Sequence, residues 1–248
     1  MSDDRDSIQA RETGSGRSLI THAVLVGLTP LIPVPVIDDL AKNHFRKRLV
    51  RSLAAANGRT LSEAELDALA AERERGCLSG CLLTALVYPL KAVFRKVFYF
   101  LEWKRAADLT SRTYHFGYLV DYATRRRGDA ASALDLRGAR AVNEAIQAVC
   151  REAPVKPLEV AVGGTFRKSR RVLRAGAALL AGSLRRLAGR ARPEHVAAAI
   201  EQVEPAEQRE IEPVVTRLQR AIAAVPEDHF RALRARLDAR LGLPTDKA

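Results

Sequence analysis

The sequence predicts an all-α fold. Alanine, leucine and arginine dominate its 248 residues, aromatics supply only 5%, and strand signals are almost absent. Hydrophobic residues at 47% and charged residues at 28% describe a chain that buries a core rather than a disordered one. The length suits one large domain or two small ones. The expected architecture is a multi-helix bundle in two parts, with a proline elbow near the N-terminus.

Residues 1–17 read as a disordered tail. The opening "MSDDRDSIQARETGSGRS" is acidic and polar, the reverse of a cationic leader followed by an apolar run. With an odd count of three cysteines (Cys77, Cys81 and Cys150), this sets an expectation of a cytoplasmic protein with reduced thiols. A short apolar helix is expected from Ser18 to about Thr29, stopped by Pro30, Pro33 and Pro35. Proline cannot donate a backbone hydrogen bond and pushes the preceding residue out of the helical region. Asp38 or Asp39 then caps a helix that carries Lys42, Arg46, Lys47, Arg48 and Arg51 and ends near Asn57-Gly58.

"TLSEAELDALAAERERG" is an amphipathic helix with two candidate capping boxes, Thr60 with Glu63 and Ser62 with Glu65, and a stop at Gly76. The most apolar stretch follows, to Trp103. "RAADLTSRTYHFGYLVDYA" is helical, broken or closely packed at Gly117. "TRRRGDA", residues 124–130, reads as a surface linker between an apolar/basic helical domain (18–123) and a basic one (131–245). The second domain is expected to hold a helix over about 136–152 and a break at Pro154/Pro157. A long basic helix follows over about 158–189, then two helices over 193–203 and 206–224. Pro226 opens a last helix ending near Leu241.

The net charge of +12 points to anionic partners: nucleic acid, lipid headgroups or an acidic protein. No clean membrane span is expected. In residues 20–37 the prolines leave only about a dozen helical residues, against the roughly 20 a span needs. In residues 83–101 the apolar side chains gain about 5 kcal/mol, while Lys91, Arg95 and Lys96 cost on the order of 3 kcal/mol each. An interfacial helix suits this stretch better. Phe94, Val97, Phe98 and Leu101 share one face, Lys91, Arg95 and Lys96 can snorkel, and Trp103 suits the headgroup level. The alternative is that 77–101 is the buried central helix of a soluble bundle. The long basic helix repeats the pattern. Val162, Phe166, Leu173, Leu180, Leu184 and Leu187 trace an apolar stripe beside Arg167, Lys168, Arg170, Arg171 and Arg174. That pattern equally describes a solvated basic face on a packed helix.

Catalytic chemistry finds no motif. No glycine-rich loop precedes a Lys-Ser/Thr pair, and the five histidines have no metal-ligand spacing. Cys77 and Cys81 share a helical face but lack the second pair that structural zinc needs. Packing accounts for them, with reversible acylation as the alternative. Asp38, Asp39, His44 and His115 form the best enzymatic grouping, yet a helix cap explains the aspartates with less machinery. The expectation is therefore no enzyme, no cofactor and no metal. Nucleic-acid recognition lacks a motif, and the aromatics sit in apolar runs rather than among arginines.

"PLIPVPVIDDLAKNHFRKRLVRSLAAANGRTLSEAEL" is similar to the opening of an uncharacterised helical domain that accompanies some bacterial Era-like GTPases and YcjF-type inner-membrane proteins. Pro33, Pro35, Asp38, Gly58, Leu61 and Ser62 occupy that domain's pattern, and Thr113, Gly117 and Tyr122 resemble a later trace. The similarity spans about residues 28–123. It implies a helical domain at the cytoplasmic face of a membrane and carries over no catalytic residue. The functional expectation is a non-enzymatic protein attached peripherally or monotopically to an anionic membrane face, as an adaptor or structural element. The alternative is a soluble helical module binding nucleic acid or an acidic protein.

Overall fold

The computed structural model describes residues 16–31, 37–72, 95–126, 135–153, 156–188 and 193–244, and every regular element among them is helical. The first helix, α1 (16–28), tightens into a 3-10 turn at Thr29–Leu31. Leu19, Ile20, Ala23, Val24, Leu25, Val26 and Leu28 are each no more than 3% exposed. A helix that is apolar on nearly all sides is stable only when surrounded, so α1 is the central rod. Pro30 lies in the 3-10 turn. Pro33 and Pro35 fall outside the described residues, and the elbow expected of them with it.

The second helix, α2 (Ile37–Ala56), stops where Gly58 takes a positive φ of 70°. There the Arg59 amide donates to the Ala54 carbonyl at 2.8 Å and the Gly58 amide to Ala55 at 3.0 Å, the paired bonds of a glycine C-cap. The short α3 (Glu63–Ala70) begins at Ser62. Of the two candidate capping boxes, Ser62 with Glu65 is the one that forms. It ends at Ala70, earlier than the expected stop at Gly76, and residues 73–94 lie outside the described set.

The long α4 (Arg95–Arg126) spans about 48 Å. It runs into the expected linker: Thr124 is 3% exposed and donates to the Val120 carbonyl at 2.8 Å. Next come α5 (Leu136–Glu152), capped by the Asp135 carboxylate accepting from the Gly138 amide at 2.7 Å, and α6 (Lys156–Lys168). The single basic helix expected here is two, because α6 yields to α7 (Arg170–Ala188) at Ser169. The Ser169 amide is shared between the Thr165 and Phe166 carbonyls at 3.0 and 3.2 Å, so the interruption is one tightened turn and not a loop. Conversely, the two helices expected over 193–224 are one, α8 (Pro193–Ala223), which continues through Pro205. An interior proline costs a helix about 3 kcal/mol. Ile211, Val214, Val215, Leu218 and Ile222 bury one stripe of α8 beyond that proline. Last is α9 (Glu227–Leu241), preceded by Pro226 and closed by Gly242 at φ 64°.

Both sides of the expected domain boundary contribute to one core, running from Leu19 to Leu237. Trp103 of α4 meets Phe166 of α6 edge-to-face at 6.5 Å, and Asn143 of α5 donates to the Ala68 and Ala71 carbonyls at the end of α3. Buried residues from both sides of the 124–130 stretch thus fall in one cluster, while residues 127–134 themselves lie outside the described set.

Close crossings of α1 depend on missing side chains. A Cβ on Gly27 would lie 1.8 Å from Thr110 Oγ1 and 2.9 Å from the Ala106 carbonyl oxygen. One on Gly117 would lie 2.3 Å from Leu19 Cδ1. Gly163 has nothing within 4 Å of that position. Gly27→Ala is thus expected to lower stability by roughly 2–3 kcal/mol in urea unfolding, since a backbone carbonyl cannot step aside. Gly163→Ala is expected to raise it by about 0.5–1 kcal/mol through helix propensity alone.

Candidate functional site

The α6–α7 pair presents two unlike faces. Val162, Phe166, Leu173 and Leu180, the apolar stripe expected from periodicity, are at most 2% exposed and belong to the protein core. The side chains of Leu184 and Leu187 lie outside the described set. On the other face Arg167, Lys168, Arg170, Arg171 and Arg174 are exposed, together with Val160. Packing therefore explains the amphipathic pattern, and most of what reaches solvent beside Val160 and Leu179 is charge.

That charge gathers beside a cleft of about 370 Å³ between α6 and α8. On α6, Ala161, Gly164, Thr165 and Lys168 are spaced along one helical face; on α8, Arg217, Arg220 and Ala221 are likewise. Gly164 leaves its wall open, with nothing within 4 Å of the Cβ position. The Thr165 hydroxyl donates to the Ala161 carbonyl at 2.9 Å. Arg217 reaches across the cleft and donates from Nη1 to Ser169 Oγ at 3.2 Å, and Ser169 is itself 2% exposed. The buried hydroxyl thus holds the guanidinium in place. Among the described residues that line the cleft none is acidic. Among the described residues no carboxylate pairs with Arg167, Lys168, Arg170, Arg171, Arg217 or Arg220.

The basic surface expected on α2 is largely consumed. Lys47 pairs with Asp67 and Arg51 with Glu63, both on α3. Arg48 is exposed to neither fate alone: it is half-buried and makes a contact of its own. Arg46 is a correction, for it is buried at 7% exposure with its guanidinium carbon 3.7 Å from the centre of the Phe116 ring. Its Nε and Nη2 have no hydrogen-bond partner among the described residues. Burial lowers its pKa, and the nearby Glu72 and Cys150 oppose the shift. Burial would raise the Glu72 carboxyl, but Arg46, Lys42 and Arg112 together pull it below the usual range, with Lys42 Nζ 3.1 Å away. Stacking on an aromatic face is how a guanidinium tolerates such a place, and no spacing rule in α2 distinguishes Arg46 from its exposed neighbours.

The residues expected at a membrane are only partly placed. Lys91 and Phe94 lie outside the described residues, while Arg95, Lys96, Val97 and Phe98 are helical at the start of α4 with side chains not described. Leu101 is 51% exposed. Trp103 is a second correction: at 7% exposure it packs in the core against Phe166 rather than at an interface. Among the described residues no helix is long and apolar enough to cross a membrane. Asp38 and Asp39 occupy the first turn of α2, their side chains also undescribed. Cys77 and Cys81 fall outside the described set, and burial pushes the Cys150 thiol up to about 11.

The partner found for His115 is His229. Its Nε2 meets His229 Nε2 at 2.8 Å, linking α4 to α9, so one ring donates and the other accepts. Among the described residues no three His, Cys, Asp or Glu side chains gather as metal ligands. Burial, and secondarily His229, pushes His115 down to about 4, and burial lowers His229 as well. The histidine pair, Arg217, Arg220 and Ser169 all escaped sequence reading, because each acquires its partner only when distant helices come into register. No family model, curated protein or solved structure matches the chain.

The buried imidazoles bind protons less readily than those of the unfolded chain. Their contribution to stability is therefore complete above about pH 6.5 and is lost as pH falls toward about 4. Urea unfolding between pH 7 and 4.5 is expected to show this decline, and His115→Gln, which keeps a hydrogen bond but does not titrate, is expected to reduce its slope. Arg46→Met is expected to leave stability unchanged or raise it by roughly 1–2 kcal/mol in the same assay, since it removes a buried charge without opening a cavity.

Proposed function

We propose that this protein is a non-enzymatic adaptor or structural element that attaches peripherally to the anionic cytoplasmic face of a membrane. The carrying observation is the exposed basic face of α6, α7 and α8, where Arg167, Lys168, Arg170, Arg171, Arg217 and Arg220 stand without carboxylate partners among the described residues. A basic residue held near an anionic bilayer contributes about 1 kcal/mol. Five or so give about 5 kcal/mol, a dissociation constant of roughly 0.2 mM, so charge alone makes a weak and reversible attachment. Residues 83–101 supply the apolar increment in this reading, with half-exposed Leu101 at its end. The similarity of residues 28–123 to a domain that accompanies inner-membrane proteins agrees with this placement.

The same charge attracts nucleic acid at low salt, which keeps a soluble nucleic-acid or acidic-protein module as the alternative. Stacking platforms for single strands use exposed aromatics. The large exposed apolar side chains among the described residues are Leu101, Leu136, Val160 and Leu179, none of them aromatic. That observation favours lipid.

Vesicle flotation tests the reading. At low salt the parent is expected to float with phosphatidylserine vesicles, and Arg167→Gln/Arg170→Gln/Arg171→Gln is expected to bind about 100-fold more weakly. Phe94→Ser/Phe98→Ser, once shown to melt cooperatively, is expected to bind more weakly even at high salt. Binding by that variant equal to the parent's, and abolished by moderate salt in both, would remove the apolar contact. A parent that binds duplex DNA but no anionic vesicle would overturn the membrane reading.

A further inference from the structure

We propose that the α6–α8 cleft is a binding site for a phosphomonoester, with Arg217 and Arg220 gripping the phosphate oxygens and Lys168 closing over them from α6. The inference deepens the peripheral-attachment reading and rests on it for the ligand's source, which is either a lipid headgroup or a soluble phosphate ester.

Composition is the first support. Among the described residues the cleft draws three cations from two helices and no carboxylate, in a chain with 29 acidic residues. Elsewhere the fold matches cations to acids across helices, as Lys47 to Asp67, Arg51 to Glu63, Arg240 to Glu152 at 2.5 Å and Arg17 to Glu212. Like charges gathered without a counter-ion repel, so an anion seated among them relieves a cost the folded chain otherwise bears.

Preorganisation is the second. The bond from Arg217 Nη1 to the buried Ser169 hydroxyl fixes one edge of the guanidinium and leaves its remaining donors free to fork onto an oxyanion. Ser169 is the residue at which the continuous basic helix expected from sequence is interrupted, so the interruption and the anchoring coincide.

Size and charge are the third. About 370 Å³, with Gly164 leaving one wall open, admits a phosphate with a small organic group such as glycerol. A monoester carries about −1.5 to −2 at neutral pH, which answers three cations better than the single charge of a carboxylate or a phosphodiester.

The experiment follows thermal melting of the full chain with inorganic phosphate and with glycerol 3-phosphate, against chloride at equal ionic strength. It is joined by flotation with phosphatidic acid and phosphatidylserine vesicles matched in surface potential. Both soluble probes are expected to raise the Tm saturably in the parent and in Arg137→Gln/Arg140→Gln, which removes the same charge from α5. In Arg217→Gln/Arg220→Gln the apparent affinity is expected to fall at least tenfold. Lys168→Gln, at an exposed position, gives the same comparison should the double variant lose its cooperative melt. A preference for phosphatidic acid that Arg217→Gln/Arg220→Gln abolishes assigns the source to lipid. Saturable binding of glycerol 3-phosphate without that preference supports the cleft with a soluble ester as ligand, whatever becomes of the membrane reading. Loss of flotation with soluble-probe binding intact would sink only the membrane reading. Phosphate effects no larger than chloride's, or equal in the cleft variant and the α5 variant, would overturn the site. Protection by a short DNA duplex but not by phosphate would also overturn it, in favour of a phosphodiester backbone.

Discussion

The structure depends on the close crossing of α1 and α4 at Gly27. There the glycine backbone lies against Ala106 and Thr110, both fully buried. Thr110 turns its hydroxyl back to the Ala106 carbonyl at 2.9 Å, so no polar group is stranded at the contact. A second approach at Gly117 admits Leu19 and Leu49, and a third sets Gly176 of α7 against Ile211 and Leu28. Small residues at the crossings let one apolar rod touch α2, α4, α7 and α8 by direct packing or by its end contacts, Ser18 to Ser52 and Arg17 to Glu212. Van der Waals attraction falls steeply with a gap, so this density is where α1 draws its stability.

Polar ties then fix which turns of neighbouring helices meet. Asn57, just past α2, donates to Asp121 Oδ1 at 3.0 Å and Thr124 Oγ1 at 2.8 Å, and Arg59 Nε donates to the Thr124 carbonyl at 2.8 Å. Near the other end of the chain, the Tyr122 hydroxyl donates to Asp238 Oδ2 at 2.8 Å and accepts from Arg126 Nη1 at 2.7 Å. Burial, reinforced by Asp238, pushes that phenol up to about 12, so it remains a donor throughout the physiological range. Bonds of this kind contribute about 1 kcal/mol net, but leaving either partner buried and alone costs more. They select one register of α4 against α2 and against α9 rather than supplying the bulk of the stability.

The distribution of charge follows from the same packing. Acidic α3 lies on α2 and neutralises Lys47 and Arg51, while the core takes Arg46. The α6–α7 face has no such acidic cover among the described residues, and α8 brings Arg217 and Arg220 to its edge. These cations are one local part of a net charge of +12. The local arrangement of charge, more than the net figure, sets which molecules a surface attracts.

What the sequence by itself determined is local. Helical class, the Gly58 stop, a capping box at Thr60 or Ser62, the 136–152 helix and the span of α9 from Pro226 to near Leu241 all rest on backbone sterics and capping within a few residues. Local propensity did not place the continuity of α8 through Pro205 or the turn at Ser169. The site divides in the same way. Arg167, Lys168, Arg170 and Arg171 were legible as a basic face because a helix sorts charge from core at a period of 3.6 residues. Arg217 and Arg220 were not, nor was the burial of Arg46 and Trp103. An isolated helix does not specify which neighbour covers it, and only the tertiary structure decided whether a given arginine would meet an acid, an aromatic ring or water.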